Sequence, residues 1–236
     1  MVAYTRRGKS KKGKKIEFDL KWIIMKNKKA PKIVGLITAR KGSKRLLNKN
    51  TRMMYKKPMI SYTIDEALKS KYIDKIIITT DDEKVKKIVD NYKENSKNRI
   101  EIIDRPLHLA TDDARTLPVL VHALKSTKDV FDVAVLLQPT SPLRTVEHID
   151  KCIQIFLKEN CTSLVTVKEF EPFDIFVPNG AIFITSGDTI TKDNKLRDKN
   201  VRLVVMSQES SVDIDTEIDF MVAEHILRRK YGDNRE

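Results

Sequence analysis

Asp213 and Asp215 stand one residue apart in VDIDT. Arg40, Lys41, Ser43, Lys44, Arg45, Lys49 and Asn50 crowd a short stretch that follows an apolar run, Ile33–Ala39. The two groups suit opposite halves of phosphate chemistry. On an extended segment residues i and i+2 share a face, so the two carboxylates repel unless a cation lies between them. A divalent ion shared with phosphate oxygens is the usual solution. The cationic loop suits the phosphates themselves. A buried strand empties into it, and at the carboxyl edge of a parallel sheet such a loop meets polyanions. Gly42 is expected to let the backbone approach closely. The loop is neither GxxxxGK[ST] nor GxGxxG. Each group alone has a plainer reading: the loop as solvated basic surface, the acids as a helix N-terminus favoured by the dipole, with Asp215 its cap.

The elements that must position these groups alternate along the chain. Strands are predicted over Ile33–Ala39, Lys75–Thr80, Ile100–Ile103, Val133–Gln138, Ser163–Val167, Ala181–Ile184 and Val201–Met206. Amphipathic helices are predicted over Met59–Ser70, Glu83–Tyr92, Leu117–Ser126, Val146–Glu159 and Thr216–Lys230. Pro58 suits a helix N1 position, and Thr216 with Asp219 forms a capping signal. Such alternation predicts an α/β fold with a mostly parallel sheet and helices on both faces.

Residues 1–30 read as a basic extension, disordered or non-native, ahead of one domain over 31–236. They hold eleven Lys/Arg against two acids, nine of the chain's thirteen net positive charges. The globular part is therefore only mildly basic, which weakens a nucleic-acid reading. Met25, opening MKNKKAPKIVGLI, is an alternative start of translation on this reading. No apolar run approaches the roughly 18–20 residues that span a bilayer, and no signal peptide is evident. Cys152 and Cys161 form no CxxC or zinc spacing, which fits a reducing cytoplasm.

Four further segments fall at predicted strand ends: Thr79–Asp82, the stretch from Arg105-Pro106 through Ala114 to Thr116, Leu136–Arg144 and Val212–Thr216. The ordered set ITARKGSKRLLNKN, IITTDD, RPLHLATDDA, LLQPTSPLR, PNGAIFI and SVDIDTEID resembles the N-acylneuraminate cytidylyltransferases, the CMP-sialic acid synthetases with their legionaminate and pseudaminate relatives. The resemblance covers about Lys32–Tyr231. It implies a Rossmann-like, three-layer nucleotide-diphospho-sugar transferase fold. It also implies a cytoplasmic enzyme that joins CTP to a nonulosonic acid, releases pyrophosphate and depends on Mg2+.

By that resemblance Arg40, Ser43, Lys49 and Asn50 belong to the nucleotide loop, with Arg40 and Lys49 stabilising charge on the α-phosphate and leaving pyrophosphate. Ala114 and Thr116 lie on the cytidine segment with Arg105 nearby. Gln138 and Phe183 meet the sugar acid. Asp213 and Asp215 bind magnesium, and Asp215 counts with Arg40 and Lys49 as catalytic. No side chain stands out as general base, and no histidine is assigned to catalysis.

Three departures from the family stand out. Leu47 replaces a usual Pro. Val177 and Phe183 stand where Arg and Tyr are common. Only KEFEPFDIFV separates Val167 from Pro178, where the family carries a few dozen residues that build its dimer interface and sugar site. Dimerisation through that subdomain is therefore in doubt, and Phe170, Phe173 and Phe176 read either as a contact patch or as core. A CTP-binding, degenerate or regulatory homologue is the alternative reading.

Overall fold

The apolar run after Pro31 forms β2 (Ile33–Thr38), the strand around which the rest is built. Its side chains are buried on both faces, as a central parallel strand requires. The computed structural model describes residues 4–5, 30–43, 45–94, 96–159, 161–197 and 200–232. The basic extension apart from Tyr4, Thr5 and Ala30 lies outside these residues, as does Lys44.

The other strands are β1 (Tyr4–Thr5), β3 (Met53–Met54), β4 (Lys57–Pro58), β5 (Lys75–Thr80), β6 (Ile100–Asp104), β7 (Val133–Leu137), β8 (Ser163–Phe170), β9 (Ile175–Ser186) and β10 (Val201–Val205). The helices are α1 (Met59–Lys69), α2 (Glu83–Lys93), α3 (Thr116–Ser126), α4 (Val146–Lys158), α5 (Gly187–Thr191) and α6 (Glu217–Tyr231). The main sheet runs β10-β8-β9-β7-β2-β5-β6, with β1 pairing β9 off that path. Every pair on the path is parallel except the two that β9 makes, with β7 and β8.

Alternation along β2 splits the core into two layers. Ile33 and Ile37 face Ile60 and Ile64 of α1, Val85 and Val89 of α2, and Ile149 and Ile153 of α4. Val34 and Leu36 face Leu120 and Ala123 of α3 and Ile190 of α5. A third cluster joins Met54, Met59, Leu143 and Ile214 to Phe220, Ala223 and Leu227 of α6. It pins the acidic segment to the sheet edge.

The predicted strands and helices are present, most with ends shifted by a residue or so. Pro58 is the N-cap of α1 rather than N1. Thr216 and Asp219 form the expected capping box of α6, Thr216 Oγ1 accepting from the Asp219 amide. The segment after Val167 is neither loop nor subdomain: β8 and β9 continue as a hairpin, Lys168 opposite Val177 and Phe170 opposite Ile175. Phe176 packs on Val165 and Val167, while Phe170 and Phe173 are exposed. No helix among the described residues is long and apolar enough to cross a membrane.

Candidate active site

Three adjoining cavities lie at the carboxyl edge of the sheet. The first, about 220 Å³, is lined by all seven residues expected to bind nucleotide: Arg40, Ser43, Lys49, Asn50, Arg105, Ala114 and Thr116. Gln138, Pro139 and Thr140 close its far side. The second, about 360 Å³, shares Arg40, Ser43 and Lys49 and adds Arg45, Asp112 and Asp215. The third, about 370 Å³, shares Thr116 and Gln138 and continues over Pro178, Gly180, Ile182, Phe183 and Arg197. None of the four histidines lines these cavities.

The cationic loop is held by its own polar groups. Asn50 is buried and its Nδ2 donates to the carbonyl of Arg40 at 3.0 Å. The Arg40 guanidinium meets Asp112 at 2.5 Å. Packing within the protein does not require a glycine at position 42. A Cβ there would meet nothing within 4 Å, and its φ lies outside the left-handed region. The loop turns instead at Asn48, in the left-handed region at φ 53, where Asn is tolerated. Arg105 is buried and committed to the fold, its guanidinium donating to the Thr79 carbonyl at 2.7 Å. Burial lowers its pKa to about 10, with Asp81 opposing and Arg40 reinforcing the shift; it stays charged at neutral pH.

Lys49 connects the loop to the acidic segment. Its Nζ donates to the Ile214 carbonyl at 2.7 Å and to Asp215 Oδ1 at 3.2 Å. Ile214 is fully buried, and its amide donates to the Thr140 carbonyl at 2.8 Å. With Ile214 anchored inward, Asp213 and Asp215 both lie on the exposed side of the segment, as the i, i+2 spacing predicts; Asp215 lines the second cavity, while Asp213 lines none of the three and sits beside Gly180. Asp215 is not the helix cap; Thr216 is.

Asp213 is exposed as a residue, yet its carboxylate has protein atoms closely around it. That desolvation is the main cause of its raised pKa. The Thr140 hydroxyl opposes the shift by hydrogen bonding, and the charge of Asp215 adds to it. Two close carboxylates, one of them reluctant to ionise, fit a cation with oxygen ligands. Among the described residues no three His, Cys, Asp or Glu groups cluster as a metal site. A cation here would therefore share its shell with ligand oxygens.

The groups that shape the third cavity carry no local signal in the sequence. Opposite Thr166 the register of β9 jumps, so Val165 pairs with Phe183 but Val167 with Pro178. Inside this bulge Gly180 has φ 74, and a Cβ would come within 3.1 Å of Gln138 Oε1 and 3.5 Å of Asp213 Oδ2. Thr166 and Asn179 hold the bulge: Thr166 Oγ1 donates to Asn179 Oδ1 at 2.7 Å, and Asn179 Nδ2 donates to Ser211 Oγ at 2.9 Å. The glycine of PNGAIFI was visible in the sequence, but the positive φ that explains it arises from pairing with β8.

The family model for cytidylyltransferases matches residues 34–212. The N-acylneuraminate cytidylyltransferase of Escherichia coli O18:K1:H7 (strain RS218 / NMEC) is 33% identical over 228 residues, covering 84% of this chain and 53% of that protein. This chain thus spans about half that relative's length. The CMP-N,N'-diacetyllegionaminic acid synthase of Legionella pneumophila subsp. pneumophila (strain Philadelphia 1) is 29% identical over 228 residues, covering 83% of this chain and 96% of that one. Since 83% of 236 residues is about 196, about thirty positions of that alignment have no counterpart here. In fold, the chain is similar to a CMP:2-keto-3-deoxy-manno-octonic acid synthetase solved with CTP, with TM-score 0.67 and 14% identity, covering 84% of this chain and 99% of that one.

Proposed function

Because the chain belongs to the cytidylyltransferase family, we propose that it transfers the cytidylyl group of CTP to the anomeric 2-hydroxyl of a nonulosonic acid, in the cytoplasm. The hydroxyl oxygen forms a bond to the α-phosphorus, the bond from that phosphorus to the bridging oxygen of the β-phosphate breaks, and pyrophosphate leaves. The hydroxyl proton passes to solvent, since no cleft side chain stands out as its acceptor. The observation that carries this reading is Lys49, which joins the phosphate loop to Asp215 across one cleft.

Phosphoryl-type transfer is chiefly positioning and charge stabilisation. Arg40 and Lys49 receive the triphosphate; its arrival would exchange their carboxylate partners for phosphate oxygens. Asp213 and Asp215 would hold Mg2+ together with those oxygens. When bound, that ion supplies neutralising charge and acidifies a coordinated hydroxyl. Gln138 and the Gly180 bulge orient the acceptor, and Phe183 gives its cavity an apolar wall. Sialic-type acids are the first choice of acceptor, ahead of legionaminate, pseudaminate and eight-carbon keto-acids.

The test is pyrophosphate release from CTP and Mg2+ with each of these acids. Release with one acid, abolished by chelator, supports the reading. CTP binding with silence across the panel opposes it and returns the degenerate homologue.

A further inference from the structure

We propose that a separate cavity, between the start of α1, the end of α6 and the loop Pro142–Thr145, binds a small organic anion: a monophosphate ester with an aromatic or apolar body. The cavity is about 300 Å³ and shares no lining residue with the three described above. Lys56, Lys57, Lys69, Lys230 and Arg144 line it against a single acid, Glu66. Lys57 is paired with Asp65 and Lys69 with Glu66. Among the described residues, Lys56 and Lys230 form no ion pair; both are exposed, the Lys56 ammonium 4.9 Å from the Tyr55 ring centre and the Lys230 ammonium 5.2 Å from that of Tyr231.

Arg144 forms the floor. It is 1% exposed. Its NH1 donates to the carbonyls of Gln138 at 3.1 Å and Ala181 at 2.8 Å, and its NH2 donates to Thr63 Oγ1 at 2.8 Å. Its Nε has no partner. Among the described residues no carboxylate forms an ion pair with it; the charge of Glu66 offsets its desolvation only in part, and Glu66 already accepts from Lys69 and from the Val146 amide at 2.7 Å. A buried guanidinium with no paired counter-ion is costly, and its uncompensated charge beneath the cavity favours an anion there. Tyr55, Tyr62 and Tyr231 supply flat walls, with the Lys57 ammonium 4.2 Å from the Tyr62 ring centre. Such walls suit an apolar body beneath a charged head.

The test is calorimetric titration with phenyl phosphate at low salt, with inorganic phosphate as a second arm. Two paired variants separate this cavity from the catalytic cleft, and the readout needs no turnover, so it stands apart from the proposed reaction. Lys56→Ala with Lys230→Ala should weaken phenyl phosphate about tenfold or more. Arg40→Ala with Lys49→Ala should leave it unchanged, and inorganic phosphate should bind more weakly than the ester. The proposal is overturned if phenyl phosphate does not bind, or if its binding follows Arg40 and Lys49 instead. Equal affinity for inorganic phosphate would overturn the aromatic or apolar body.

Discussion

The two halves of the cleft are built from different materials. The half proposed to take the nucleotide is made of side-chain charge: Arg40, Lys49 and Arg105 around a small polar cavity. The half proposed to take the acceptor is made mostly of backbone shape, Pro178, Gly180, Ile182 and Phe183 on a bulged strand with Arg197 beside them, held from behind by Thr166, Asn179 and Arg144. The difference teaches what each substrate demands. A triphosphate is recognised by charge density, which a few cations on a loop can provide. A sugar acid has one carboxylate on a large polar body, so beyond one cation its recognition rests on the outline of the space, which long-range packing sets.

The contrast breaks most sharply at Asp215, on the charged side. Asp215→Ala should lower turnover about a thousandfold, by removing one of the two carboxylates proposed to hold the cation. Because its side chain is 55% exposed, thermal melting should barely move. Lost turnover together with lost folding would contradict the assignment.

Lys49→Met should come next, weakening CTP by about a hundredfold through loss of a charge-assisted phosphate contact, with acceptor affinity little changed. Competition binding with CTP checks this.

Gly180→Ala tests the other half. The added methyl crowds Gln138 and Asp213 and forces a left-handed alanine, which costs about 1–2 kcal/mol. We expect a rise of about tenfold in acceptor KM with CTP affinity intact. If steady-state kinetics move CTP and not the acceptor, the division of the cleft is wrong.

The smallest effect concerns Asp213, where the halves meet. Its carboxyl is raised in the folded protein, chiefly by desolvation. A raised acid contributes stability that is present below its unfolded pKa and lost as pH rises through its folded pKa. In chelator at neutral pH, Asp213→Asn should therefore melt slightly higher than the parent, with the gap closing in acid. With CTP and Mg2+ the order should reverse. Melting curves across pH decide it.

The charged half was legible in the sequence because its signals are local. Ile33–Ala39 is apolar and Arg40–Arg45 is not, so strand end and loop announce themselves. Asp213 and Asp215 flank Ile214, and the alternation gives their face. The acceptor half was hidden because its causes lie far apart in the chain. The left-handed Gly180 depends on Thr166, and Arg144 acts on Thr63 and Ala181, 81 and 37 residues away. The hairpin over residues 168–177 was obscured by its mixed acids, Pro172 and phenylalanines, which follow no strict alternation. The left-handed turn of the loop, six residues after Gly42 at Asn48, was also hidden, because no local pattern marks it.

The most direct measurement is mass spectrometry of the products after incubation with CTP, Mg2+ and N-acetylneuraminate, legionaminate or pseudaminate. The account expects a CMP conjugate of at least one acid and pyrophosphate in equal amounts, both missing for Asp215→Ala. Bound CTP that stays intact with every acid, or that is hydrolysed with no conjugate formed, would contradict it.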